Sequence, residues 1–421
     1  MIAGKWHLGV GAERQYLPTH YGFDDYLGVP YSQDMCPCLA CFPDRGPCHD
    51  TCWSWDVSCP LFSNLSIVEQ PVDLTSLTQR LVQHAINFID SPSPEPFFLY
   101  FPFHHVHHPQ FASSKFHGGS ERGVFGDSLE ELDWGVGQVV GALARGGHLH
   151  NTIIWFTSDN GPSLTRHERG GSAGLLRCGK GTTWEGGIRV PSFVHWPDKV
   201  KRGRSMGLVS AMDVLPTLAS LTGMDTSHLT LDGSDVTNLI LNPYAESPRK
   251  YLPIYPEAPN PSVGPLAVTN GTYKAHFYTK GSDLSDADNY DPLCPARHKL
   301  TRHDPPLLYH LHHDPGESGI IEELTKWRQQ HMNTTTWIQP RTRTVDPFAQ
   351  PCCTDPSCDP FPACCDCPPT LTPPPPTPPQ PPAANAIRDR SSRGHHHHHK
   401  KQQHDTRHSN ALDVIVLGDM D

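Results

Sequence analysis

The apolar positions of this chain fall into runs of strand length separated by helical repeats. Residues 97–101 (FFLYF) and 152–157 (TIIWFT) lack period-two alternation and are rich in β-branched and aromatic side chains, the pattern of strands buried on both faces. Between them, residues 128–147 (SLEELDWGVGQVVGALARGG) space Leu129, Leu132, Val136, Val139 and Leu143 at helical intervals. Strand, helix and strand in that order predict a parallel sheet of the α/β type. A second amphipathic segment, MDVLPTLASLTG (212–223), ends on the helix-stopping Gly223. From about residue 246 proline-rich turns and isolated strands such as YKAHFYTK (273–280) predict a smaller α+β domain. The expected division is therefore 1–245 for the larger domain, 246–367 for the smaller one with cysteines at its end, and 368–421 for a tail. Residues 368–382 hold ten prolines and a histidine-rich stretch follows, so the tail is expected to be disordered and unable to bury a core. Its run of five histidines is either a metal-binding tract or plain solvated sequence.

Composition narrows the partners. A net charge of −11 over 421 residues, without a Lys/Arg-dense face, argues against nucleic acid. Protonating the 28 histidines would reverse the sign of that charge, so the surface field would change strongly in an acidic compartment. No apolar run is long enough to cross a bilayer. The 14 cysteines form an N-terminal cluster (Cys36 to Cys59), an isolated pair (Cys178, Cys294) and a C-terminal cluster (Cys352 to Cys367). Dense, even-numbered clusters read as disulfides made in an oxidising compartment, with Cys178–Cys294 the one pairing that stands apart. Zinc is the competing reading for Cys38-x2-Cys41. Three N-x-[S/T] sequons, at Asn64, Asn270 and Asn333, also suit the secretory pathway. The first ten residues, MIAGKWHLGV, contain no export signal, so the sequence is expected to be incomplete at its N-terminus.

Four polar clusters could carry chemistry. In GKWHLG an extended backbone would point Lys5 and His7 to one face, a cation beside a titratable base, or else an ordinary surface strand. The segment FHHVHHPQF follows a buried strand, where open α/β sheets bind ligands. One of His104, His105, His107 and His108 could be a general acid, with the others packing or hydrogen-bonding. TSDNGP follows the other buried strand; Asp159 and Asn160 offer oxygens suited to calcium or magnesium, but Asp-Asn-Gly is also a strong turn former. In LLRCGKGTTWEGGIRVP, glycines flank Lys180, whose ammonium could hold an anion; the spacing is not that of a nucleotide-binding P-loop.

Taken together, GKWHLG, GFDDYLGVPYS, FFLYF, HHVHHPQF, FGDSLEELD, TSDNGP, GLLRCGKGTTWEGGIRVP and LDGSDV resemble the sulfatase family, and the likeness runs from residue 1 to about residue 367. The resemblance implies an alkaline-phosphatase-like α/β fold with a smaller C-terminal α+β domain, one Ca2+ ion, lysosomal residence, a homo-oligomer, and hydrolysis of sulfate esters such as sulfated galactolipids or aryl sulfates. It assigns Lys5 and Lys180 to the sulfate, His7 to the hydrated aldehyde nucleophile, Ser32 to the substrate pocket and His107 to protonation of the leaving alcohol. Asp159 and Asn160 match two of four metal ligands. A phosphatase or phosphodiesterase on the same fold is the rival chemistry, and two lysines with a single Asp-Asn-Gly favour sulfate.

The departures from the family pattern matter as much. Members carry two tandem aspartates and then C-x-P-S-R, whose cysteine becomes the formylglycine nucleophile, upstream of the GKWHLG segment. Here CFPDR (41–45) fits only the minimal C-x-P-x-R and lies downstream, where the resemblance implies a disulfide at Cys41. The expectation is a chain whose remaining metal ligands and nucleophile belong to a missing N-terminal segment. The alternative is a catalytically dead form that binds sulfated ligands or pairs with an intact subunit. Because that segment supplies the first strand of the family's sheet, an exposed sheet edge and poor solubility are also expected.

Overall fold

In a computed structural model, the description covers residues 1–35, 59–93, 95–256, 260–280, 300–311, 321–335 and 412–419. An eight-stranded sheet is built from β1 (Ile2–Ala3), β2 (Tyr26–Gly28), β3 (Leu61–Ser63), β4 (Ser66–Glu69), β5 (Phe98–Pro102), β6 (Thr152–Ser158), β7 (Ser192–His195) and β12 (Asp413–Asp419). Its order is β4-β3-β2-β1-β5-β12-β6-β7. The five strands β2, β1, β5, β12 and β6 run parallel, and β3, β4 and β7 close the edges antiparallel. Both apolar runs of the sequence therefore lie inside the sheet, as their unbroken hydrophobicity requires.

Helices cover both faces. On one side α1 (Leu74–Ile89) and α2 (Gly123–Gly146) bury Leu77, Leu81, Val82, Ala85, Leu132, Val139 and Leu143 against Leu99, Phe101, Ile415 and Leu417. Asp73 caps α1, its carboxylate accepting from the Thr75 amide at 2.9 Å. On the other side α4 (Val214–Thr222) places Leu218 against Ile153, Val414 and Val416, and ends at Gly223 with φ 73°. The buried face of α2 follows the spacing at Leu132, Val136, Val139 and Leu143, and departs from it at the first turns, where Leu129 is 46% exposed while Asp127, Ser128 and Glu131 are buried. These polar groups serve the loop after β5.

A second, four-stranded antiparallel sheet has the order β11-β10-β9-β8, from β8 (Leu252–Ile254), β9 (Ala267–Thr269), β10 (Tyr273–Thr279) and β11 (Thr301–His310). It packs Val268, Ala275 and Phe277 into a small core beside Trp327 of α6 (Ile321–Thr334).

Two sequence expectations are corrected here. Residues 412–419 do not belong to a tail unable to bury a core. Leu412, Val414, Ile415, Val416 and Leu417 are all buried, and β12 is the strand between β5 and β6. The expected open edge is likewise occupied: β12 fills a central position, and short antiparallel strands end the sheet on both sides. The physical reason is the run DVIVLGD, β-branched and apolar over four residues, which suits a doubly buried strand whatever the composition around it. Residues 368–411 lie outside the described residues. So do the CFPDR segment and Cys294. Cys59 and Cys178 are both disulfide-bonded.

Candidate active site

The carboxyl ends of β1, β5, β12 and β6 open on one side of the sheet, and the loops that leave them carry most of the chemistry. After β1, Gly4 takes φ +133° because a Cβ there would stand 1.9 Å from the Pro102 carbonyl oxygen. That close approach lets the Lys5 amide donate to Pro102 at 3.0 Å and seats Lys5, only 2% exposed, against the end of β5. His7 follows with φ 56° and its amide donates to the Pro30 carbonyl at 3.1 Å.

The four histidines after β5 have separate surroundings. His105 is buried: its Nε2 lies 3.0 Å from Glu131 Oε2 and 2.7 Å from Thr78 Oγ1, and its Nδ1 lies 3.0 Å from Ser128 Oγ. This is a structural anchor. His104 is also buried; burial first, then the charges of Lys5, His105, His107 and His7, push its pKa well below the usual imidazole range, so it is neutral. Gln33, fully buried, holds the loop by donating to the His104 and His107 carbonyls at 3.0 and 2.9 Å. His107 is half-buried and lines the cavity, with Nδ1 donating to the His108 carbonyl at 2.6 Å. Burial also lowers the His108 pKa, although the Asp34 carboxylate 3.5 Å away opposes the shift. Burial alone would raise Asp34, but His108, the charge of His107 and the Ser32 hydroxyl outweigh it and hold the carboxyl below its usual range. Ser32 thus sits beside the histidine loop rather than alone. Asp34, His107 and His108 form a group of potential metal-ligand atoms lying within 4.8 Å of one another.

After β6, Ser158, Asp159 and Asn160 form a tight turn. The Asp159 carboxylate accepts from the Asn160 amide at 2.7 Å and also from its side-chain nitrogen. Gly161 is required next, because a Cβ would stand 1.8 Å from the Gly186 carbonyl oxygen. Its amide donates to Gly187 at 2.9 Å, and the Lys180 amide donates to Pro162 at 2.9 Å. The Asp-Asn-Gly turn and the glycine-rich loop are therefore laced together through their backbones, and Lys180 lines the same cavity as Asp159 and Asn160. The second sheet buttresses this loop. Lys274 Nζ reaches Glu185 at 3.0 Å, Thr183 Oγ1 lies 3.1 Å from His276 Nδ1, and Trp184 packs on His276 and Tyr309.

A cavity of about 1210 Å3 gathers these parts: His107, His108, Asp159, Asn160 and Lys180 all line it. Lys5, His7 and Ser32 are not among its lining residues, although Lys5 and His7 lie close enough to act on His104. Arg122, Arg166, Arg169 and Arg189 line it too, against the acids Glu121, Asp159 and Glu168, so the cavity favours an anion. The sequence did not single out these arginines, nor Gln33 and Glu131. The only signal for the latter pair was their presence inside the PYSQD and SLEELD motifs. Asp159 and Asn160 supply a carboxylate and an amide oxygen from one turn, hard donors of the kind calcium takes, so they fit part of a calcium shell.

A parallel sheet with cations and oxygen donors grouped beyond its strand ends defines an anion-processing α/β enzyme. The chain belongs to the sulfatase family: the sulfatase family model matches residues 1–224, and the model for the C-terminal region of aryl-sulfatase matches residues 247–366. It is 45% identical to human arylsulfatase A over 387 residues, covering 87% of this chain and 76% of that one. The bovine arylsulfatase A is 44% identical with the same coverage. Among solved structures, a PsFucS1 sulfatase from Pseudoalteromonas superposes with TM-score 0.63 at 24% identity, covering 79% of this chain and 70% of that one, which shows the fold. By this kinship the chain is a sulfuric ester hydrolase.

Proposed function

We propose that the cavity beyond β5 and β6 is a sulfate-ester site of arylsulfatase type, taking aryl sulfates or sulfated galactolipids. The observation that carries the reading is the convergence of Lys180, His107 and the Asp159–Asn160 turn on one cavity lined by four arginines. A sulfate monoester is a fixed anion whose charge shifts towards the bridging oxygen as the S–O bond breaks. Lys180 holds the non-bridging oxygens; Lys5, buried at the end of β1 and outside the cavity lining, is assigned to the same group by the family resemblance. His107, in the cavity lining with its ring oriented by the hydrogen bond from Nδ1 to the His108 carbonyl, is the general acid that gives a proton to the departing alcohol. The same resemblance gives His7 the orientation of the attacking group and Ser32 a place in the substrate pocket, although neither is among the residues that line this cavity. The family is metal-dependent, and Asp159 and Asn160 would hold a Ca2+ ion that polarises the sulfate as a Lewis acid. The nucleophile is not among the described residues, so the chain's own groups account for binding, orientation and proton transfer.

The reading carries residence in the lysosome or secretory pathway, supported by the disulfide-bonded Cys59 and Cys178. It also carries a homo-oligomer and a division of the chain near residues 245 and 367. No helix among the described residues is long and apolar enough to cross a membrane. The test compares an aryl sulfate with the matched aryl phosphate. Preferential hydrolysis of the sulfate supports the reading, and preference for the phosphate overturns it. Saturable binding of the sulfate without turnover would favour the alternative, a form that binds sulfated ligands or pairs with an intact subunit.

A further inference from the structure

The strand at the middle of the large sheet comes from the far end of the chain. β12 pairs in parallel with β5 from Val414↔Phe98 to Gly418↔Pro102, and with β6 from Asp413↔Thr152 to Asp419↔Ser158. Its two faces are divided between the layers: Ile415 and Leu417 enter the core under α1 and α2, while Leu412, Val414 and Val416 enter the core under α4. Both ends are tied down. The Val414 amide donates to the Phe97 carbonyl at 2.9 Å, the Asp413 carboxylate accepts from the Phe97 amide at 3.0 Å, and the Gly418 carbonyl accepts from the Phe103 amide at 2.7 Å. Glycine at 418 is also demanded, since a Cβ would stand 2.2 Å from the Thr157 carbonyl oxygen.

Without this strand β5 and β6 would flank a gap of about 9.5 Å, two interstrand spacings, too wide to pair directly. Backbone donors and acceptors on both sides would lose their partners, and apolar surface in both cores would open. Everything else around the gap is supplied by residues 1–222. We propose that the slot between β5 and β6 is a peptide-binding site for one extended, apolar, parallel strand, and that its ligand is this chain's own segment 412–419. Among the described residues the strand's contacts lie within the slot itself, so the covalent link to the rest of the chain is dispensable once the strand is seated. The slot selects for β-branched residues on both faces, an acid at 413 and glycine at 418. Because β12 ends between β5 and β6, its seating also places Asp419 opposite Ser158, one residue before Asp159, so the strand governs assembly of the cavity's floor.

The test uses the full chain with a specific protease site inserted between Ala384 and Asn385. Residues 385–421 contain no cysteine, so a disulfide cannot retain the released piece. After cleavage, the fragment is expected to co-elute one-to-one with the body under native conditions, at the elution volume of the uncut chain, to melt with it in one transition, and to separate only in denaturant. Release of the fragment under native conditions overturns the proposal, whatever the body then does. In the uncut chain, amide exchange provides a second reading that needs no variant. The amides of 414–418 are expected to exchange as slowly as those of β5 and β6, and exchange at the rate of an unstructured peptide overturns the proposal.

Discussion

Replacing Glu131 by alanine probes the least exposed polar cluster that supports the site. The carboxylate is 1% exposed and makes three contacts, to His105 Nε2 at 3.0 Å, to the Ser113 hydroxyl at 2.7 Å and to the Ser113 amide at 3.4 Å. Removing one partner of a buried carboxylate–imidazole pair costs about 3–5 kcal/mol at most, since the group left behind is buried without its partner. Two rescues lower that figure here. His105 keeps Thr78 and Ser128, and the Ser113 hydroxyl keeps the Gln79 amide at 2.8 Å. The expected loss is therefore at the low end, about 3 kcal/mol. Glu131→Gln retains shape and one acceptor, and is expected to cost about 1–2 kcal/mol. Guanidinium unfolding followed by tryptophan fluorescence measures both. Because His105 lies two residues before His107, the alanine variant is also expected to lose aryl sulfate kcat/KM, by up to about 100-fold for a displacement near 1 Å. An alanine variant within about 0.5 kcal/mol of the parent would refute the reasoning, as a surface position would behave that way.

The remaining expectations follow from the same geometry. Lys180→Ala is expected to lower kcat/KM for an aryl sulfate by about 10²-fold or more, since it removes a positive donor from the sulfate; loss below threefold would remove it from the site. Asp159→Ala is expected to abolish the rise in Tm that Ca2+ gives the parent, and an unchanged calcium shift would place the ion elsewhere. His276 is pushed down to about 2, first by burial and then by Lys274, His303 and Arg177. The folded state thus holds it neutral while the unfolded chain protonates near pH 6.5, so the stability it contributes is present above pH 6.5 and is lost as pH falls. The expected slope is about 1.4 kcal/mol per pH unit below 6.5 from this group, and His276→Gln is expected to flatten it in a Tm series from pH 7 to 4.5.

Much of the fold can be read from local pattern. FFLYF and TIIWFT are strands because their unbroken apolar character suits a doubly buried position, and Gly223 ends α4 as its sequence position implies. β12 was hidden by its surroundings: the same β-branched signal sits in DVIVLGD, but the prolines and histidines before it dominate the composition. The polar part of the buried face of α2 was hidden for a different reason. Periodicity found Leu132, Val136, Val139 and Leu143, but it does not show that Ser128 and Glu131 also turn inward, where a buried histidine takes them as partners. The site divides in the same way. His107, Asp159, Asn160 and Lys180 are marked by motifs and do meet in one cavity, but the arginines around them come together only through tertiary packing. Gln33 holds two carbonyls of the histidine loop from 71 and 74 residues away, a relation that spacing alone does not reveal.

The most direct measurement is binding and turnover of an aryl sulfate, with Ca2+ present, by the purified chain and by its His107→Ala and Lys180→Ala variants. The account expects saturable binding of the sulfate by the parent, weakened by Lys180→Ala, and a fall of at least about 10²-fold from the parent's turnover in each variant. Binding unchanged by Lys180→Ala, or equal non-zero rates in all three proteins, would show that the cavity beyond β5 and β6 is not where the ester is held and cleaved.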